Sequence, residues 1–461
     1  MLENFEMNGW WWLPGKDAER VSGVMAFDAQ TGPVLRTLGQ LGGPGPIVTD
    51  FPSFPVIHGT TADGKDVTLL HCQLTSLTQS YPRGIPEAEY SSALCLRNAL
   101  LDEATGFWAA ETDISDLVPW LTPTVFSFNY RQDRGSLLDY SPLTPLQTFF
   151  PGENEADSGC QIMIDGRIRS TEKHYQHQIS YCPVLRLNIR KPVPISHVLS
   201  LATCALQFFE LGCASPLLPG GVRFYLSPLR TGMEADYVEV FFQQVPGEHR
   251  PPLRDLHDLL FNYGDVAQMF PSLMRGWLKS YDNIASSIRL HSQLLYSSGP
   301  PEYSFLACVF ALEAYYRDAV AGRPLDDDSF SSSVEKILAV VPDEQRAFWR
   351  TKLRYANEYN LRDRLLGMCD RIPELAGFLH LTEGFIGKVV NTRNLLAHQS
   401  VGGNQAVWRE PEEFKIPNIQ LQLFLEAVLV GHLGVPETDV IKWFGNNRTV
   451  RGLSKLFGTK T

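Results

Sequence analysis

No two cysteines in this chain stand in a CxxC pair. The eight are scattered at positions 72, 95, 160, 182, 204, 213, 308 and 369, and no Cys/His set has the spacing of a zinc site. The pattern fits reduced thiols buried in a core, as free cysteine usually is. A basic, then apolar, leader is also missing. "MLENFEMNGWWWLPG" is acidic and does not read as a secretory signal. Long apolar runs are lacking too. Val198–Phe209 is too short to cross a bilayer, and Ile419–Val435 is broken by Gln420, Gln422, Glu426 and His432. These absences predict a soluble, cytoplasmic chain with no membrane partner, no metal and no cofactor. "GGPGP" at 42–46 lacks the GxxxxGK[ST] of a phosphate loop, and Asp326–Asp328 lacks the further ligands of a calcium loop. His174 and His177 have no companion ligands nearby and read as strand or surface residues.

A net charge of −11 argues against a protein that grips nucleic acid over its whole surface. The charge is uneven. Of the 40 Lys and Arg, 22 fall in residues 271–461, where 21 of the 51 Asp and Glu also lie. The acidity therefore belongs to the first 270 residues. The chain closes on a basic stretch with Arg448, Arg451, Lys455 and Lys460, either a solvated end or a weak phosphate contact.

At 461 residues the chain is too long for one comfortable core, and its grammar changes midway. From about 20 to 245 it alternates like strands: "VSGVMAFD", "TVFSFNY", "VLRLNI", "GVRFYLS" and "YVEVFFQQV". Asp63-Gly64 and Asp165-Gly166 read as hairpin turns. "ISHVLSLATCALQFFELG" reads as one helix ending at Gly212. "VPGEHRPPLRD" at 245–255 reads as a connector. Beyond it, apolar residues recur every three or four positions over five or six helical segments, which fits a bundle. The predicted class is α+β in two domains: a β-rich domain over 1–255 and an all-α bundle over 256–461.

The bundle holds "VVNTRNLLAHQS", with Arg393 and His398 spaced R-x4-H. Such a pair suits RNA cleavage without a metal. Histidine titrates near neutrality and serves as base or acid. Arginine keeps its charge and binds phosphate through two donors. The spacing alone is not distinctive, because Arg169/His174, Arg167/His174, Arg190/His197 and Arg250/His257 also satisfy R-x(4–6)-H. Only Arg393/His398 falls in a bundle helix; the alternative is a helix-end pair on an exposed face. Residues five apart lie roughly 140° apart around a helix, so the two do not share a face, whereas Asn394 and His398 do. A second copy of the helix across a two-fold axis would bring two such sets into one cleft.

"NTRNLLAH" resembles the R-N-x-x-x-H form of the HEPN ribonuclease motif. "FLACVFALEAYYRDA" resembles the apolar HEPN helix with its buried acid, here Glu313. The opening "GWWWLPGKDAERVSGVMAFDAQTGPVLRTLG" resembles the N-terminal domain of ApeA-type anti-phage abortive-infection proteins. The resemblance covers the first 40 or so residues and most of 300–430. It implies a metal-independent, homodimeric endoribonuclease acting on cellular RNA, plausibly transfer RNA. Arg393 would hold phosphate, His398 act as base or acid, Asn394 hydrogen-bond the site and Glu313 orient Arg393. The β-rich domain would sense a phage-derived trigger. Apart from the resemblance, the charge asymmetry by itself suggests that the acidic half repels RNA or covers the cleft until then.

Other readings stay open on the residues. Glu313 has Arg317 four positions on as a structural partner. Of Trp10, Trp11 and Trp12, at least one must enter the core, whatever the others stack on. The alternatives are a non-catalytic binding scaffold whose β-rich domain binds a protein or glycan, and a carbohydrate-active acidic half, though no paired carboxylates stand out.

Overall fold

A computed structural model describes residues 2–42, 51–78, 84–121, 126–131, 135–140, 145–150, 159–173, 176–229, 235–244, 255–297, 299–320, 322–398 and 406–458. Most of the connector at 245–255, the loop at 43–46, His174 and Lys460 lie outside them, as does the side chain of His177. The chain divides into two compact units, Met1–Arg275 and Gly276–Thr461.

The first unit is β-rich. Six strands, β1 (Phe5–Trp12), β2 (Val21–Asp28), β3 (Gly32–Leu38), β4 (Ser53–Thr61), β5 (Asp66–Thr78) and β6 (Glu87–Arg97), pair in the order 6-3-2-1-4-5. A further antiparallel pairing of β5 with β6 closes them into a barrel, which removes the free edges. β6 is shared. Along one edge it pairs throughout with β5; along the other its first half pairs with β3 and its second with β14 (Tyr237–Phe242). From there the sheet extends through β13 (Val222–Tyr225), β7 (Gly106–Asp113), β12 (Gln176–Pro194), β11 (Cys160–Lys173) and β10 (Leu146–Phe150). β8 (Phe126–Arg131) and β9 (Gly135–Tyr140) form a separate hairpin.

The tryptophan run lies at the end of β1. Trp11 and Trp12 are buried and Trp10 is exposed. Trp11 lies on Gly59 of the neighbouring strand, where an added Cβ would fall 2.2 Å from its ring. Trp12 escapes the alternation because Arg20 covers its face at 4.4 Å. Asp63-Gly64 turns between β4 and β5, with Gly64 at φ +80°. Asp165-Gly166 does not turn. It lies inside β11, and Gly166 is needed for close approach, since a Cβ there would meet Tyr181 at 1.9 Å. The expected helix is α1 (Ile195–Cys213). It runs past Gly212, which packs against Phe261 and Trp120, and Ala214 takes the left-handed cap at φ 47°. α1 has the length and hydropathy of a membrane span, but more than half of that stretch is buried as a core helix.

Composition changes before the units part. Leu259, Leu260, Phe261 and Phe270 are buried, and Phe208 and Phe209 of α1 contact Phe270. The short helices α2 (Tyr263–Val266) and the start of α3 (Phe270–Ser280) thus pack with the first unit.

Glu111 of β7 is the most enclosed carboxylate of this sheet. Arg186 donates to it at 2.6 Å, Arg167 at 3.0 Å and the Tyr225 hydroxyl at 2.8 Å. Burial pushes its pKa up, but the Tyr225 hydrogen bond and the two guanidiniums outweigh this and hold it below 4.5. Burial, reinforced by the same carboxylate, pushes Tyr225 up to about 12. Glu111 is saturated by donors, which suits a structural anion and not a general acid. A carboxyl with a depressed folded pKa adds stability above its unfolded pKa and loses it as pH falls through the folded value. Glu111→Gln is therefore expected to lower stability at pH 7 and to flatten its decline below about pH 4.5. Urea denaturation across pH 3–7 checks this; parallel curves for both proteins would refute it.

The second unit is helical: α4 (Ala285–Tyr296), α5 (Pro301–Tyr315), α6 (Asp327–Val340), α7 (Asp343–Leu353), α8 (Leu361–Cys369), α9 (Pro373–Phe378), α10 (Glu383–His398), α11 (Lys415–His432), α12 (Glu437–Asn446) and α13 (Arg448–Phe457). The helices outnumber the five or six expected because several long segments break. α9 and α10 part at His380, with φ 55°. Asn360 and Asn447 cap fresh starts for α8 and α13, and Asp326, ahead of the serines, caps α6. α5 is apolar on nearly every side and buried through Phe305, Cys308, Val309 and Leu312. It packs against α4, α10 and α11, and carries the one acid that matters below. All eight cysteines are buried thiols outside any disulfide.

Candidate active site

α10 buries Ile386, Val389 and Thr392, three residues apart, so one stripe of the helix faces the core. Thr392 is pinned there by accepting from the backbone N–H of Trp408 at 3.1 Å. Arg393, the next residue, is thereby placed at the edge of the buried stripe and is half-buried. Its Nη2 lies 3.6 Å from Glu313 Oε2 of α5, and its Nη1 donates to Asn394 Oδ1 at 3.3 Å. The guanidinium lies 5.9 Å from the Phe310 ring, one turn before Glu313. Its Nε is buried and has no acceptor among the described residues. The cation is oriented, yet much of its donor capacity is unused.

Glu313 is held from its other side. Arg364 of α8 donates to Glu313 Oε1 at 3.0 Å, to Glu358 at 3.1 Å and, through Nε, to the Tyr359 carbonyl at 2.7 Å. One carboxylate therefore bridges two guanidiniums. Arg317, the partner that spacing suggests for Glu313, does not take that place. α5 passes into a π-helical turn at Tyr316–Val320, and the wider turn carries Arg317 off that face into solvent. Arg364 is missed by motif reading. Its signal was a charge among the buried Leu365, Met368 and Cys369 of a short amphipathic helix, where an arginine needs a partner.

His398 stands at the last position of α10 and is exposed. It makes no hydrogen bond or ion pair among the described residues. The structure thus brings Glu313, Arg393 and Asn394 together and leaves His398 one turn beyond, on the Asn394 face. Of the other R-x(4–6)-H pairs, Arg167 is engaged with Glu111, and His174 and Arg250 lie outside the described residues.

The chain thus joins a β-barrel unit to a helical bundle in which an apolar helix sets an acid against an arginine-bearing helix. Residues 306–439 match the family described as Apea-like HEPN, and residues 6–277, more than half of the chain, match ApeA N-terminal domain 1. The chain belongs to the ApeA-like family. At the level of the family, the HEPN match supports a nuclease role in anti-phage defence. Neither a curated protein nor a solved structure is similar enough to match.

Proposed function

We propose that the bundle is a metal-independent endoribonuclease that cuts cellular RNA, transfer RNA included, during abortive infection. The observation that carries this reading is the Glu313–Arg393–Asn394 arrangement, which fixes a cation with unused donors on the helix that ends in an exposed histidine. Arg393 binds the scissile phosphate and neutralises charge developing on it. His398 takes the proton of the 2′-hydroxyl, or supplies one to the leaving oxygen. Asn394 hydrogen-bonds the site, and Glu313, held by Arg364, orients Arg393. Attack by the 2′-oxygen forms a 2′,3′-cyclic phosphate and releases a 5′-hydroxyl.

Arg393 reaches round to Asn394 and not to His398, so one helix does not present both groups to one phosphate. A homodimer meeting across a two-fold axis supplies the second set. The β-rich domain acts as the sensor of a phage-derived trigger. The runner-up, a non-catalytic scaffold, predicts no cleavage by the purified chain under any condition.

RNA from cells expressing the wild-type chain is expected to carry new 2′,3′-cyclic phosphate ends that His398→Ala does not produce. The same cuts are expected from purified, activated protein in excess EDTA. Ends bearing 5′-phosphate, or cleavage abolished by the chelator, would sink the mechanism.

A further inference from the structure

The helical hairpin of α6 and α7 stands apart from the rest of the bundle in what it buries. α7 has no buried side chain, and α6 buries Leu338 alone. Yet Phe348, Trp349 and Tyr355 are exposed, Phe348 by 57% and Tyr355 by 63%. A helix with large exposed aromatics and no core contact is short of a partner.

Charge says what kind. From Arg346 to Tyr355 there are four cations, Arg346, Arg350, Lys352 and Arg354, and no carboxylate. Arg346 is occupied in closing the hairpin, on Asp343 at 2.6 Å and the Leu338 carbonyl at 3.0 Å. Arg350, Lys352 and Arg354 have no carboxylate partner among the described residues. Lys352 Nζ lies 5.6 Å from the Phe348 ring, and Arg354 lies 5.5 Å from that of Tyr355. Phe348 and Lys352, four apart on α7, share one face, and Tyr355 follows in the turn just past its end at Leu353. An apolar protein partner would have to bury these unpaired cations, which is costly. A second copy of the same face would oppose like charges. A polyanion with flat, unpaired rings satisfies both the aromatics and the cations.

The hairpin is also rooted at the candidate site. Buried Asn357 clasps both ends, accepting from the Leu325 N–H at 2.9 Å and donating to the Leu325 carbonyl at 2.8 Å. The next two residues, Glu358 and Tyr359, hold Arg364, which holds Glu313 beside Arg393.

We propose that the α6–α7 hairpin is a substrate arm that binds single-stranded RNA, stacking unpaired bases on Phe348 and Tyr355 and holding phosphate with Lys352, Arg350 and Arg354. The inference rests on the nuclease reading for its substrate class. Stacking on aromatic rings requires bases outside a duplex, so the arm selects unpaired segments.

The test uses full-length His398→Ala protein, so that cleavage does not enter, and fluorescence anisotropy with a labelled 12-nucleotide unpaired RNA and a blunt duplex. Combined Phe348→Ala, Lys352→Ala and Tyr355→Ala is expected to weaken binding of the single strand at least ~10-fold and that of the duplex little. The conservative pair Phe348→Tyr and Tyr355→Phe is expected to bind like the parent. Lys352→Ala alone is expected to lower the slope of affinity against salt by about one. Unchanged binding by the triple variant, or no binding by the parent, overturns the proposal. A fall in sedimenting mass that accompanies lost binding overturns it in favour of an interface between copies. A wild-type chain that cuts no RNA refutes the nuclease reading but leaves an arm-dependent binding result standing.

Discussion

His398→Ala is expected to lower RNA cleavage by the activated full-length chain by at least ~10²-fold, the low end of what a general acid or base contributes. Arg393→Ala is expected to cost a similar factor, since it removes the cation and donors at the phosphate. The two should differ in their side effects. His398 is exposed at a helix end, so its loss should leave thermal stability unchanged. Arg393 is half-buried beside Glu313, so its loss should lower the melting temperature slightly. Arg393→Lys should not restore activity, because an ammonium cannot contact Glu313, Asn394 and a phosphate as a planar fork does. Survival of the host cell offers a second readout, as both alanine variants should be non-toxic. Full activity in both variants would refute the site assignment, and full activity in one would refute that residue's role.

Arg364→Ala is expected to destabilise the helical unit by about 2–3 kcal/mol and to reduce cleavage as well. Arg364 is 11% exposed at its side chain and Glu313 21%. Removing one partner of a fully buried pair costs about 3–5 kcal/mol, and the residual exposure of Glu313 lowers that figure. The loss of activity has a separate cause. Without Arg364, Glu313 has only Arg393 to satisfy it, and the present 3.6 Å contact should tighten. Arg393 would then spend on Glu313 the donors it offers to phosphate. Paired replacement, Arg364→Met with Glu313→Gln, separates the two effects. Stability should return in part, since the Arg364 charge is gone while Arg393, 22% exposed, still loses its carboxylate. Cleavage should not, since nothing then orients Arg393. Thermal denaturation and cleavage rates measured on the same preparations check both outcomes. Recovery of both together would mean that the pair serves only the fold.

Arg364 and His398 also mark how far the sequence could be read. The R-x4-H spacing was visible, and so was the acid in an apolar helix. Their neighbours were harder. Arg317 was the natural partner for Glu313 by helical periodicity, but the π-helical turn after Tyr315 changed that periodicity, which is a property of the packed helix end. Arg364 lies 51 residues from Glu313 and meets it only because α8 packs on α5. Asp165-Gly166 misled for a related reason. Glycine serves both turns and close approach, and only the place of Tyr181 on the adjacent strand decides between them.

The sequence by itself determined the β-then-α order, the position of Arg393 in a bundle helix and the family resemblance. Each rests on local periodicity or short motifs, which neighbouring residues encode directly. Tertiary structure decided the rest. It closed β1–β6 into a barrel through the β5–β6 pairing and kept residues 255–275 with the β unit by burying Phe261 and Phe270. It set one carboxylate between Arg364 and Arg393, and it left Phe348 and Lys352 of α7, with Tyr355 in the turn after it, bare. Those outcomes depend on contacts between residues far apart in the chain. Burial and ion pairing across helices, which no local pattern records, select them.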